Sequence, residues 1–221
     1  MAASSSKGVK ICLVKDGATG NTLTPTAASK AKPAVITVAD VTGVAAGDVI
    51  KLPAAATGLP EIDGKDWIVG SVDSGANTFT LLGSDTTAAT GTFAAGTMTH
   101  YGSTDMVCLC LSSLSFNPEE AQTVSVATFC EPTASIPGAV VGAGTLDFAG
   151  FVDVTSADYQ ELLKASLASP AHEYTWRILL PGNGYITFPA TIGTLNWEIP
   201  LEGAIGYSGT FALGSKPRHL F

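Results

Sequence analysis

Charged side chains are scarce in this sequence: Lys, Arg, Asp and Glu make up 14% of its 221 residues, against about 25% in an ordinary soluble domain. A free monomer stays dispersed largely by such charges, so much of this surface is expected to be covered by other subunits. Basic runs are missing as well. The net charge is −8, whereas nucleic-acid binders carry basic patches that displace counterions from phosphate. That argues against affinity for DNA but not against DNA passing nearby. No segment reaches the roughly 18 apolar residues of a membrane span, so no membrane insertion is expected. The opening MAASSSKG lacks the apolar core of a secretory signal. The expectation is a product made and kept in a cytoplasm.

Chemistry-bearing patterns are equally thin. Cys12, Cys108, Cys110 and Cys130 form no CxxC pair and have no zinc-type spacing with His100, His172 or His219. In a cytoplasmic product they read as reduced, small, buried residues, with Cys108-x-Cys110 a faint metal candidate. Gly206-Tyr207-Ser208-Gly209-Thr210 misses the nucleophile-elbow pattern at its last residue and reads as a strand edge with a bulge. His172 follows a helix-to-strand turn, where exposure is its plain explanation. Glu119-Glu120 reads as a solvated or intersubunit acidic patch, and Glu61 to Asp66 lacks the ligand spacing of a calcium loop. Gly142-x-Gly144 leads into a strand, so no phosphate cradle follows. No enzyme and no cofactor are expected.

What is abundant is Gly, Ala, Thr and Val in short stretches punctuated by turns, the composition of short strands and tight turns. One strand is expected at 9–14. Residues 34–100 follow a different grammar, with brief strands at 34–38, 48–52, 66–72, 78–82 and 97–101. Turns at Gly47, Gly64 and Gly75 separate them. Trp67 falls inside a strand pattern there and reads as core. From 103 onward alternation is clearer. Leu146, Phe148, Val152 and Val154 share one face of 145–154, with Asp147, Ala149, Phe151 and Asp153 on the other. Tyr174, Trp176, Ile178 and Leu180 alternate with polar neighbours, as do Leu195, Trp197, Ile199 and Leu201, which alternate with Asn196, Glu198, Pro200 and Glu202. Asn183-Gly184 signals a hairpin. A helix over about 156–168 starts with Thr155 as cap and Asp158 completing the capping box. Tyr159, Leu162, Leu163 and Leu167 form its apolar stripe, and Ser169-Pro170 ends it.

The order of these parts resembles the tail tube (major tail) proteins of long-tailed bacteriophages. The likeness runs through SLSFNPEEAQTVSVATFCEP, TLDFAGFVDVTSADYQELLKAS and the closing strands from YTWRILL to GTFAL. The stretch VADVTGVAAGDVIKLP to NTFTL is similar to a small β-module common in phage tail proteins. The resemblance implies a mainly β protein, a β-sandwich or barrel-type tail tube fold with one packed α-helix and a small inserted all-β module. Its parts are an arm and first strand (1–33), the inserted decoration module (34–100) and the remainder of the tube domain (101–221), which includes a long loop at 117–144. It implies homohexameric rings stacked head to tail, with tape-measure, tail-terminator and baseplate or tip proteins as partners. Double-stranded DNA would pass through transiently and non-specifically, and the product would reside in a virion after assembly in the bacterial cytoplasm. Lumen-lining candidates are Asp147, Asp153, Glu198 and Glu202. In the long loop, Glu119, Glu120, Val124, Val126, Phe129 and Ile136 are candidates for contacts between rings. The module is expected to hang outward from flexible joints near Lys32-Pro33 and Tyr101-Gly102, to be removable without loss of rings, and to leave no room for a contractile sheath. Alternatives are the inner tube of a contractile injection machine, and a surface-displayed adhesin or carbohydrate-binding β-domain.

Overall fold

The computed structural model describes residues 10–109, 111–117, 123–126, 134–137, 143–153, 155–168, 171–180, 184–200, 202, 205–215 and 217–220. The fold is mainly β, with two large sheets and one α-helix. The first sheet uses β1 (Lys10–Val14), β9 (Met106–Leu109), β10 (Leu111–Asn117), β13 (Thr145–Phe151), β14 (Tyr174–Leu179), β15 (Tyr185–Glu198), β16 (Gly206–Leu213) and β17 (Arg218–Leu220). Its order is β10-β13-β16-β15-β14-β1-β9, with β17 also paired to β15. The two outer strands, β9 and β10, are separated by a single residue. Two Cα steps of about 3.8 Å cannot span an open sheet, so the sheet curls back on itself into a nearly closed barrel.

The second sheet holds β2 (Asn21–Leu23), β3 (Pro25–Ala28), β4 (Ala34–Val38), β5 (Val49–Leu52), β6 (Lys65–Asp73), β7 (Thr78–Leu81) and β8 (Met98–Tyr101), in the order β2-β8-β5-β6-β7-β4-β3. This module therefore begins at Asn21 rather than at Ala34: β2 and β3 lie ahead of the cis Lys32-Pro33 bond but pair into the same sheet. A separate hairpin, β11 (Thr123–Val126) with β12 (Ala134–Pro137), stands within the stretch read as one long loop. Residues 181–183, with Asn183 of the expected turn, lie outside the described residues. The strands flanking them pair antiparallel, as a hairpin requires.

Inside the barrel, Trp176, Phe188, Phe211, Leu13 and Ile11 are fully buried with Leu162 of the helix. Phe148 stacks on Phe211 at 4.2 Å between ring centroids. Glycine makes the room for these rings. A Cβ on Gly209 would sit 2.3 Å from the Thr194 carbonyl and 2.7 Å from the Phe148 ring, and one on Gly150 would sit 2.5 Å from the Tyr207 hydroxyl. Phe148, Phe151 and Tyr207 of the β13–β16 pair thus each face a glycine across the ladder, while Phe211 faces Leu146.

The helix α1 (Ala157–Leu167) starts one residue later than expected, with Ser156 and not Thr155 at the N-cap and no side-chain capping bond. Thr155 is otherwise engaged: its N–H and Oγ1 both donate to Asp153 Oδ1, at 3.0 and 2.7 Å. The buried stripe is Tyr159, Leu162 and Ala165. Leu167 is 70% exposed, because the last turn carries it past the barrel wall.

The module does not hang from loose joints. β1 alternates strictly: Ile11 and Leu13 enter the barrel core, while Cys12 and Val14 join the module's core together with Met106. Both faces of β1 are buried, which is why KICLV reads as a continuous apolar run. Polar bonds seal the same seam. Thr175 Oγ1 donates to Asp66 Oδ2 at 2.7 Å, the Arg177 guanidinium donates to the Gly47 carbonyl, and Arg218 lies 4.3 Å over the Trp67 ring. Burial there holds Arg177 below its ordinary value.

The expectation of four reduced cysteines also fails, since Cys12 and Cys108 face each other across β1 and β9 and form a disulfide. Cys108 is thereby unavailable as a metal-binding thiolate. Cys110 and Cys130 lie outside the described residues.

Replacing residues 34–100 by a Gly/Ser linker should therefore damage the barrel rather than spare it. Uncovering Val14 and Met106 alone removes about 1.5–3 kcal/mol of burial for each, a large part of a stability of about 5–15 kcal/mol. The variant is expected to aggregate or to unfold at clearly lower denaturant. A soluble variant with an unchanged unfolding midpoint would show that the seam contributes nothing.

Candidate functional surfaces

Register decides which residues share a surface, because partners across an antiparallel ladder point the same way. Asp147 pairs with Thr210, and Thr210 with Thr194; Ala149 pairs with Ser208, and Ser208 with Asn196. Phe151 and Glu198 both flank Gly206. Ser113 and Ser115 of β10 extend the same face. The outer face of β10-β13-β16 and the end of β15 is thus a run of hydroxyls and amides with two carboxylates, Asp147 and Glu198. None of its described positions carries Lys or Arg. The side chains are held flat: Asn117 Nδ2 donates to Asp147 Oδ2 at 2.7 Å, and the Thr194 and Thr210 hydroxyls lie 3.0 Å apart.

Of the four acidic candidates, the structure brings Asp147 and Glu198 together on this face. Asp153 lies beyond the strand in the approach to α1, where bonds from the Thr155 hydroxyl and N–H hold its carboxyl below the ordinary range. Glu202 is exposed in the connection after β15. Alternation puts Trp197 on the core-facing side, and the ladder agrees, since it pairs with buried Tyr207, yet Trp197 and Ile199 are not buried. Past the bulge between Ile192 and Thr194, Leu195 and Trp197 are on the inward phase of β15, but the barrel interior ends near Leu195.

Past that point stands an apolar rim. Phe151 is 65% exposed, Trp197 51% and Ile199 75%. Ile205 joins them, its carbonyl accepting from the Val152 N–H. Trp197 is anchored from below by an indole N–H bond to the Tyr159 hydroxyl. The opposite end of the same strands closes at the Asn117–Thr145 pair, and residues 118–144 leave and return there. Among the loop candidates, Val124 pairs with Ile136 and Val126 with Ala134 in the β11–β12 hairpin. Glu119, Glu120 and Phe129 lie outside the described residues.

No arrangement in the described residues suggests catalysis. His100 is buried with its Nε2 2.8 Å from Asp48 Oδ2, and Asp48 also accepts from the Ala45 N–H. The pair fixes the turn that presents the Gly47 carbonyl to Arg177. His172 is exposed. Asp63 accepts from Thr57 and Gly58 and organises a loop. Among the described residues, no group of three or more His, Cys, Asp or Glu is placed to hold a metal, and no helix is long and apolar enough to cross a membrane.

No protein-family model matches the chain, and no curated protein matches it. Among the solved structures that match, two align with about half of the chain. One is a chain from the tail of an empty GTA particle, determined by helical refinement with C6 symmetry. It is 16% identical over 49% of this chain and 79% of its own, with a TM-score of 0.34. The other comes from the virion of a native gene transfer agent particle, 19% identical over 50% and 85%, with the same TM-score. Likeness at that level does not establish a shared fold, so the functional reading rests on the chain's own surfaces.

The rim supplies a direct test of self-association. Three large apolar side chains this exposed at one end are unusual on a free monomer. Phe151→Ser combined with Ile199→Ser should shift the protein toward monomer in sedimentation at high concentration, leaving the thermal midpoint within about 2 °C. Unchanged sedimentation would remove the rim from any interface.

Proposed function

We propose that this chain is a structural subunit of a phage-type tail tube, assembled as hexameric rings that stack head to tail around a channel for double-stranded DNA. The observation that carries the reading is the uncovered sheet face with Asp147 and Glu198 and no cationic side chain. A conduit must let DNA slide, and every Lys or Arg on a phosphate adds salt-sensitive affinity. A face of hydroxyls, amides and carboxylates offers DNA nothing to hold.

Two further features agree with stacking. The rim and the hairpin-bearing segment 118–144 leave opposite ends of the same strands, the arrangement that a head-to-tail, open-ended assembly needs. Hydrophobic surface at one end would then be covered by the next ring. The module packs against the other half of the barrel, on β1, β9 and β14. With the polar face turned inward, the module is turned outward and occupies the space a contractile sheath would need. The tail would then be sheathless, with tape-measure, terminator and tip proteins limiting its length. A released virion also meets the oxidising surroundings in which a Cys12–Cys108 bond persists. The adhesin reading is weaker, because Trp67 and Phe79 of the module are buried and offer no aromatic platform.

Asp147→Lys with Glu198→Lys tests the channel. Particles carrying both should assemble tubes of normal length yet release DNA at least about tenfold more slowly at low salt, with a steeper salt dependence. Release kinetics equal to those of the unaltered particle would mean that this face does not line the channel.

A further inference from the structure

The seam between module and barrel leaves a cleft of about 500 Å³, the size of a small-ligand site rather than of a single bound ion. Lys51, Lys65 and Asp66 line it from the module, and Glu173, Ser215 and Arg218 from the barrel. Three of the chain's eleven Lys and Arg residues thus converge on one opening, in a protein whose net charge is −8. Asp66, which lies opposite Lys51 in the β5–β6 ladder and acts on Arg218, and Glu173 offset only part of that charge. Among the described residues, the ion pairs are Lys32–Asp85, His100–Asp48 and Lys164–Glu161, none of them here.

Arg218 packs over the Trp67 ring, and its Nη1 is buried without a hydrogen-bond partner. Burial, partly offset by Asp66, lowers its guanidinium to about 10, so it remains charged at neutral pH. Lys65 Nζ donates to the Glu61 carbonyl and forms no ion pair among the described residues. Asp66 accepts from Thr175 through Oδ2 and keeps further lone pairs free. An unpaired buried cation is costly, and an external anion would relieve that cost. A bare anion, however, would also meet two carboxylates. The mixed lining fits a group that brings negative charge at one end and hydroxyl donors at the other.

We propose that this cleft binds a phosphorylated polyol or sugar, with the phosphate held among Lys51, Lys65 and Arg218 and the hydroxyls donating to Asp66, Glu173 and Ser215. A planar guanidinium over an aromatic ring is well suited to the phosphate, and the exposed lysines close around it as point charges. The ligand could be a free small molecule or one unit of a phosphodiester-linked polymer.

Calorimetric titration of the intact chain distinguishes these cases, with glycerol 3-phosphate, inorganic phosphate, glycerol and a short glycerol-phosphate oligomer as probes. Saturable binding of glycerol 3-phosphate is expected, tighter than that of inorganic phosphate, with none for glycerol. Lys51→Gln with Lys65→Gln should weaken it about tenfold or more, a loss of about 1.4 kcal/mol, with an unchanged thermal midpoint because both side chains are exposed. Arg218→Lys should weaken it further while keeping the charge. The oligomer binding more tightly per unit than the monomer supports the site and identifies a polymer as its source; equal affinity supports it with a free small molecule. No saturable binding up to about 10 mM, a range that reaches very weak affinities, would overturn the proposal, as would a double-lysine variant that binds normally. Inorganic phosphate binding as tightly as glycerol 3-phosphate would overturn the polyol assignment. The measurement is made on unassembled subunits, so its outcome is independent of whether the chain forms tubes.

Discussion

Four residues, Ile11–Val14, are buried from two sides, and the rest of the molecule is arranged around that fact. Ile11 and Leu13 complete the barrel interior, while Cys12 and Val14 complete the core of the module. Neither sheet has a finished core without this strand. The hydrophobic contribution of one short segment is shared between two bodies, so they are expected to fold and persist as one. The disulfide to Cys108 and the Arg177 bond to the Gly47 carbonyl reinforce the same junction. Buried polar groups are tolerated at this seam because most find partners: Thr175 uses Asp66, and Asp48 uses both His100 and the Ala45 N–H.

Sealing one half of the barrel leaves the outer face of the other half uncovered. In the sealed half β1 is apolar on both sides and β14 adds Thr175 and Arg177 toward the module, whereas the open half alternates between core aromatics and a polar exterior. Glycines opposite Phe148 and Tyr207 let the interior close without widening the ladder. The exterior therefore stays regular, and its charge pattern follows from strand register alone. In the proposed assembly, the cation-free face and the apolar rim beside it are what let copies of the chain enclose a polyanion.

Much of the fold was legible in the sequence where one strand face meets one core. Residues 34–38, 78–81, 145–151 and 174–179 alternate cleanly, and they are strands with those faces buried. Legibility failed where a second influence entered. Strand β15 outruns the core, so alternation that turns Trp197 to the same side as buried Tyr207 could not show that Trp197 and Ile199 lie past the last core residues. Strands β2 and β3 are short and polar, and they pair only through contacts distant in sequence. The Cys12–Cys108 bond spans 96 residues and has no local spacing to betray it. Thr155 looked like a helix cap because sequence cannot show that Asp153 already holds it. Of the candidate site, Asp147 and Glu198 were readable from alternation, whereas the charged cleft depends on two sheets meeting and left no trace in either one.

Electron microscopy of the purified chain at high concentration, with helical reconstruction of whatever forms, bears most directly on the central claim. The account predicts stacked six-membered rings around an open channel, with Asp147 and Glu198 facing inward and the module outside. Tubes whose channel is lined by the module, or a protein that stays monomeric at every concentration, would contradict it.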